Sequence, residues 1–168
     1  SLNPRLICFV VYGQNVNAGT ASMEGAVRVS EFLKDQEISI PISFIGSYPQ
    51  ALPIKCLEEE NSIDFVFTNE GVYALRKLLK EKNFEDEVLS KTRGIAWRSP
   101  SGVVINPSEK IVPQERMDQD LPGYAWDLLP YNTVPLDLYR APLWHSGYKE
   151  ENRSPYAAIQ TSLGCKFK

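Results

Sequence analysis

The stretch "DFVFTNEGVYALRKLL", residues 64–79, indicates most directly which fold the chain adopts. Its first half belongs to a continuous apolar run, "IDFVFT" (63–68), without the polar–apolar alternation of a half-exposed strand, which is typical of a parallel strand covered on both faces. Its second half lies in residues 70–82, where apolar residues follow helical spacing. The tripeptide "NEG" (69–71) joins the two halves. A buried strand followed at once by an amphipathic helix predicts an α/β unit.

The same alternation of strand and helix occurs upstream. The apolar runs "LICFVVY" (6–12) and "PISFIG" (41–46) predict two further buried strands, and residues 20–35 and 54–60 have helical patterns. The order β-α-β-α-β-α predicts part of a Rossmann-like, flavodoxin-like parallel sheet with right-handed crossovers. Three strands make a thin sheet, so we expect an uncovered edge to need a partner from later in the chain or from another subunit.

The residue pattern of the sequence changes after residue 92. "GIAWRSPSGVVINP" (94–107) predicts a β-hairpin, residues 107–155 carry many prolines and little periodicity, and "YAAIQTSL" (156–163) reads as a last strand. We therefore expect an α/β unit, then a hairpin with an extended linker, then a strand and loop. The corresponding ranges are 1–92, 93–155 and 156–168.

Composition excludes several classes of function. A net charge of −3 and a pI near 5.3 argue against nucleic-acid binding and against a polybasic membrane anchor. No apolar run approaches the roughly 20 residues of a membrane span, and no signal peptide is visible, so we expect a cytoplasmic protein without membrane contact. The odd number and wide separation of Cys8, Cys56 and Cys165 argue against a disulfide framework.

Ligands of open parallel sheets bind beyond the carboxyl ends of the strands, which makes the three strand exits the candidate site. All three exits combine glycine with amide or hydroxyl side chains, a lining suited to a large ligand rich in neutral amides. The candidate cofactor-binding residues are Gly13, Gln14, Asn15, Gly46, Ser47, Tyr48, Pro49, Asn69, Glu70 and Gly71. Ordinary turn chemistry accounts for them equally well, since Asn69 could cap the following helix and Glu70 would suit the helix dipole.

Common catalytic constellations are missing from the sequence. His145 is the only histidine, so a single chain cannot build a His-based metal cluster, and we predict no catalytic residue. Neither a glycine-rich dinucleotide fingerprint nor a P-loop pattern occurs.

Three segments carry a resemblance to a known family. "DFVFTNEGVYALRKLL" (64–79), "YAWDLLP" (124–130) and "QTSLGCKFK" (160–168), in this order and separation, resemble the cobalamin-binding radical SAM family, which includes anaerobic magnesium-protoporphyrin ester cyclases and many methyltransferases. The resemblance implies cobalamin as a ligand of the α/β unit. It also implies a [4Fe–4S] cluster and S-adenosylmethionine in the full-length protein.

By this resemblance, Cys165 is similar to the first cysteine of the family's C-x3-C-x2-C motif, and the second would follow Lys168 directly. One thiolate cannot hold the cluster, so we expect a fragment that contributes to cobalamin binding without turnover of its own. The segment "LWHSGY" (143–148) lacks the family's D-x-H-x-x-G cobalt-ligating motif, and Ser47 and Asn69 stand where the family has glycines.

Two other classes of function remain open at this stage. One is a Rossmann-like enzyme that binds a nucleotide or nucleotide-sugar in the same crevice. The other is a non-catalytic interaction module, in which the proline-rich arm and the uncovered sheet edge recruit a partner or form a homo-oligomer.

Overall fold

A computed structural model of the chain describes residues 3–12 and 16–128. Within them, a single mixed sheet has the strand order β1-β2-β3-β4-β5. The strands are β1 (Ile7–Val11), β2 (Ile42–Gly46), β3 (Phe65–Phe67), β4 (Ile95–Ser99) and β5 (Gly102–Ile105). The helices are α1 (Val16–Asp35), α2 (Ser47–Ala51), α3 (Pro53–Glu59), α4 (Val72–Leu78), α5 (Asp86–Ser90) and α6 (Met117–Asp120), with 3-10 turns at Gln114–Arg116 and Trp126–Leu128.

The first three strands are parallel, as their apolar runs predicted. β1 pairs with β2 from Ile7 opposite Ile42 to Val11 opposite Gly46, and β2 pairs with β3 in the same direction. Every residue of β2 and β3 is buried, because helices cover both faces of the sheet. The predicted α/β class with a Rossmann-like parallel sheet is therefore confirmed. The prediction of a buried strand was wrong for β1, which lies at the edge of the sheet: only Val11 is buried, and Val10 is 70% exposed.

The two faces of the sheet carry separate hydrophobic clusters. On one face, Met23 and Val27 of α1 and Leu57 of α3 pack against Ile42 and Phe44 of β2. The other face buries a second cluster against α4 and α5, made of Ile45, Phe65, Phe67, Ala74, Leu78, Leu89, Ile95 and Trp97. This division follows from strand geometry, because successive side chains of a strand point to opposite faces.

The helices differ from the sequence expectation in several places. α1 begins at Val16 rather than near residue 20. Residues 47–51, for which no helix was predicted, form the short helix α2, and the helix expected over 70–82 ends at Leu78. It ends there because the chain tightens into a turn, in which the N–H of Lys80 bonds to the carbonyl of Lys77 at 3.1 Å. The next helix begins only at Asp86, so residues 81–85 form an irregular connection between α4 and α5.

The predicted hairpin is present and extends the sheet. β4 pairs antiparallel with β3 and places Ile95 opposite Phe67, and β5 returns alongside β4. The hairpin thus covers the edge of β3 that three parallel strands alone would leave open, and the N–H of Thr68 bonds to the carbonyl of Gly94 at 2.9 Å. Pairing of another subunit with a sheet edge stays a prediction.

Asn106 anchors the end of the hairpin in the protein interior. Its carboxamide oxygen accepts from the Trp97 indole N–H at 3.2 Å, and its nitrogen donates to the carbonyls of Leu89 and Thr92, each at 2.6 Å. A buried amide with these partners fixes the direction in which the following segment leaves the sheet.

Backbone contacts divide the chain into two compact units, residues 1–122 and 123–168. In the described part of the second unit, the rings of Tyr124 and Trp126 pack with their centroids 5.1 Å apart. The predicted strand at 156–163, and with it the predicted third range, lies outside the described residues. None of the described helices combines the length and apolarity needed to cross a lipid bilayer.

Candidate functional site

The carboxyl ends of the three parallel strands meet at one rim of the sheet. Val11 lies opposite Gly46 in the β1–β2 register, and Gly71, which follows β3, lies against Ile45 of β2. The predicted glycines Gly46 and Gly71 therefore share a rim. The predicted residues Gly13, Gln14 and Asn15 lie outside the described residues.

Gly46 is required by a close approach of two backbones. A Cβ atom at this position would lie 2.1 Å from the carbonyl oxygen of Val11, far inside van der Waals contact. Because the obstacle is backbone, it could yield only by moving β1. The glycine allows β2 to end against β1 and to turn directly into α2.

Gly71 is required by both conformation and packing. Its φ of 73° lies in the left-handed region, and a Cβ atom would lie 2.6 Å from Cδ1 of Ile45 and 3.0 Å from Cγ of Phe67. Its carbonyl accepts the N–H of Leu75 at 2.8 Å, which begins α4. The tight turn from β3 into α4 depends on this residue.

Asn69 and Glu70 bind their own chain. The Asn69 side chain accepts the N–H of Gly71 at 2.8 Å and donates to the carbonyl of Glu109 at 3.0 Å, while the Glu70 carboxylate accepts the N–H of Val112 at 2.6 Å. These contacts organise the turn into α4 and hold the segment after the hairpin beside the end of β3. Both residues therefore serve the chain, but not as the helix cap and dipole partner considered from sequence, because the N-cap of α4 is Gly71 and it has no side-chain cap hydrogen bond.

The predicted residues of α2 have three different environments. Pro49 is fully buried, and Tyr48 packs against the first cluster and directs its hydroxyl to Glu59 at 3.4 Å. Ser47 is exposed at the start of the helix. Of these three, only Ser47 has a side chain open to a ligand at the rim.

Tyr12 and Gln50 complete the rim and were missed by the sequence reading. The Gln50 amide nitrogen donates to the Tyr12 hydroxyl and, at 2.7 Å, to the carbonyl of Asn69, so one side chain connects the exits of β1 and β3. Gln50 belongs to the exit stretch "GSYPQALP" (46–53), and Tyr12 directly follows β1. The sequence did offer one indication of this contact, because an amide and a phenol follow two neighbouring predicted strands.

The rim carries neutral hydrogen-bonding groups. Burial raises the pKa of Tyr12, hydrogen bonding to Gln50 lowers it, and the nearby Glu70 carboxylate raises it further, so the phenol stays protonated at neutral pH. Residues 46–52 and 69–71 include no lysine or arginine. The arrangement suits donors and acceptors on a neutral ligand better than a multiply charged phosphate group.

The described cysteines do not form a metal centre. Burial raises the pKa of the Cys56 thiol to about 12 and also raises that of Cys8, as expected for inert thiols. Within residues 3–12 and 16–128, no three His, Cys, Asp or Glu side chains are grouped to hold a metal ion. The predicted cluster ligand Cys165 lies outside this part of the chain.

Comparison with known proteins finds a likeness among solved structures. No protein-family model matches the sequence, and no curated protein matches it. Among solved structures, the chain is similar to the cobalamin-dependent S-adenosylmethionine radical enzyme OxsB with aqua-cobalamin bound, with a TM-score of 0.51 and 22% sequence identity. The match covers 70% of this chain and 15% of that chain. The two proteins therefore share an α/β, Rossmann-like fold over this region.

Proposed function

We propose that this chain is part of a cobalamin-dependent radical SAM enzyme and that its strand-end rim contributes to cobalamin binding. The observation that carries the proposal is the convergence of Gly46, Gly71 and the Tyr12–Gln50 pair at the carboxyl ends of three parallel strands. Two independent lines support it: the three sequence segments that resemble the family, and the fold shared with a cobalamin-dependent enzyme.

The residues at the rim fit the chemistry of cobalamin. A corrin ring carries neutral amide side chains, and the Gln50 carboxamide, the Tyr12 phenol and the Ser47 hydroxyl can each donate and accept hydrogen bonds. Gly46 contributes by letting β1 and β2 approach closely, and Gly71 by fitting against the side chains of Ile45 and Phe67, since the space beside each is filled by protein atoms. Asn69 and Glu70 act as positioning residues that hold the rim in shape. When bound, cobalamin would carry a methyl group or act as a redox partner.

The full-length protein would add the cluster and S-adenosylmethionine. We propose Cys165 as one of the cluster ligands there, with methyl transfer or cyclase-type chemistry as the overall reaction. The described residues would supply cobalamin contacts and shape the rim.

Retention of hydroxocobalamin tests the proposal. The chain is incubated with hydroxocobalamin and desalted, and the bound corrinoid is measured by absorbance against a protein-free control. Ser47→Trp places a large ring on the exposed start of α2, whereas Ser101→Trp places the same ring in the exposed β4–β5 turn at the opposite rim.

We expect the unchanged chain and Ser101→Trp to retain cobalamin and Ser47→Trp to lose most of it. Equal retention by the two tryptophan variants would refute the location of the site. Absence of retention by the unchanged chain, together with saturable nucleotide binding that Ser47→Trp abolishes, would instead favour a nucleotide enzyme.

A further inference from the structure

A basic groove lies outside the strand-end rim, on the surface shared by α4 and the segment that contains α6. Its volume is about 360 Å³, within the range of small-molecule sites. The groove is lined by Tyr73, Arg76, Lys77, Lys80, Arg116 and Asp120. Four cations against one carboxylate leave a net charge of +3 on a chain whose overall charge is −3.

The groove already holds one oxyanion of the protein itself. The Asp120 side chain is only 3% exposed, and its carboxylate accepts from the Tyr73 hydroxyl at 2.7 Å and from the Arg76 guanidinium at 2.7 Å. Arg116 adds two N–H donors, at 2.8 and 3.2 Å. The carboxylate thus accepts four hydrogen bonds and holds both guanidinium groups in place. Its single negative charge cannot neutralise both of them.

Several donors in the groove remain for a second anion. The Arg76 and Arg116 side chains are 51% and 52% exposed, and each keeps N–H groups that Asp120 does not use. Lys80 follows Arg76 by four residues and is exposed; its backbone N–H bonds to Lys77, but its ammonium makes no hydrogen bond or ion pair with the described part of the chain. Lys77 is partly committed, since its ammonium donates to the carbonyl of Lys91 at 2.5 Å.

We infer that this groove is a binding site for a phosphate-class oxyanion on a small molecule. Guanidinium groups held in place by Asp120 need little reordering to accept phosphate oxygens, and the Lys80 ammonium adds a mobile point charge at the edge. The same chemistry is supplied by inorganic phosphate and by a phosphate monoester such as AMP. The inference is independent of cobalamin binding, because none of the groove residues belongs to the strand-end rim.

Isothermal titration with inorganic phosphate and with AMP tests the site, at an ionic strength held constant with sodium chloride. Lys80→Ala removes a groove cation, and Lys82→Ala removes an exposed lysine two residues away that does not line the groove. The two variants change the net charge equally. Since neither side chain is buried, both variants should fold, and circular dichroism checks this.

We expect saturable binding of phosphate, weakened about two- to fivefold by Lys80→Ala, as for loss of one exposed charge contact, and unchanged by Lys82→Ala. Binding should also weaken as salt is raised. Tighter binding of AMP than of phosphate would identify an organic phosphate as the ligand, and equal binding would identify the free anion; either supports the site. Absence of saturable binding, or equal losses in the two lysine variants, would overturn the inference.

Discussion

Removal of the Asn106 carboxamide should destabilise the domain strongly. Asn106→Ala deletes three hydrogen bonds, to Trp97, Leu89 and Thr92, and leaves the indole N–H and the Thr92 carbonyl in the interior without this partner, while the Leu89 carbonyl keeps the N–H of Thr92 at 3.1 Å. A neutral hydrogen bond contributes roughly 0.5–1.5 kcal/mol net, and a buried group left unpaired costs about 1–3 kcal/mol. Because the cavity admits some relaxation or water, we expect a loss of about 2–4 kcal/mol in the free energy of unfolding.

Urea denaturation followed by far-ultraviolet circular dichroism measures this loss. With a slope of about 2 kcal/mol per molar urea, typical of a small domain, the midpoint should fall by roughly 1–2 M. Asn61→Ala serves as the control, because Asn61 is exposed, and it should change stability by less than about 0.5 kcal/mol. A loss below about 1 kcal/mol for Asn106→Ala would refute the assignment of Asn106 as the anchor of the hairpin.

Asn106→Asp separates hydrogen bonding from side-chain volume. The aspartate keeps the shape and the acceptor for Trp97, but it turns an oxygen toward the carbonyls of Leu89 and Thr92. Burial should raise the folded-state pKa of this carboxyl above its unfolded value near 3.9, so the variant should lose stability as pH rises from about 4 toward that raised pKa. At pH 7 it should be at least as unstable as Asn106→Ala, and greater stability there would contradict the reasoning.

Two further predictions concern single residues. Gly71→Ala should destabilise the domain by about 1–3 kcal/mol in a urea titration, because a left-handed φ of 73° is combined with a contact of 2.6 Å to Ile45. Gly25→Ala in α1, which meets no atom within 4 Å and has no left-handed φ, should lose no stability, and equal losses in the two variants would contradict the argument. Donors from Arg116, Tyr73 and Arg76 hold the pKa of Asp120 well below its usual range, so the stability that Asp120 contributes is present above the ordinary carboxyl pKa and is lost as pH falls below about 4. The urea midpoint should therefore drop less between pH 5 and pH 3 in Asp120→Asn than in the unchanged chain or in Asp118→Asn. Equal drops in all three proteins would contradict the stabilising role of these hydrogen bonds.

Much of the fold could be predicted because its elements are encoded by local patterns. The runs that became β2 and β3 are apolar apart from Ser43, which suits parallel strands covered by helices on both faces, whereas the equally apolar run of β1 forms a partly exposed edge strand. The end of α4 was misplaced because Leu79 continues the helical spacing, yet the structure leaves it 51% exposed beyond the last turn. Apolar periodicity does not specify where a chain turns away from the sheet.

The hairpin illustrates the boundary between local and distant information. Its turn and flanking β-rich residues predicted two paired strands at 94–107, as observed in β4 and β5. Its pairing with β3, which places Trp97 opposite Phe65, depends on residues far apart in the chain. The sequence predicted that the uncovered sheet edge needs a partner, but it did not identify the segment that supplies it.

The candidate site was only partly predictable for the same reason. The topology of parallel strands placed Gly46 and Gly71 at one rim, as expected. The roles of the polar side chains were harder to predict, because Asn69 and Glu70 could have bound either a ligand or the chain itself. In the structure they bind Glu109 and Val112, which lie 40 and 42 residues away in the sequence. Gln50 was passed over because its partner Tyr12 lies 38 residues earlier.

The sequence by itself determined the α/β order, the parallel strands β1 to β3 and the glycines at the exits of β2 and β3, because periodicity and backbone conformation are properties of neighbouring residues. Only the tertiary structure decided which polar groups remain for a ligand and which are committed within the chain. Asp120 shows this most clearly, since an ordinary acidic residue before a Leu-Pro pair becomes the buried centre of a clamp with Arg76 and Tyr73, 44 and 47 residues upstream. A hydrogen-bond partner is chosen by distance in space, which local sequence does not encode.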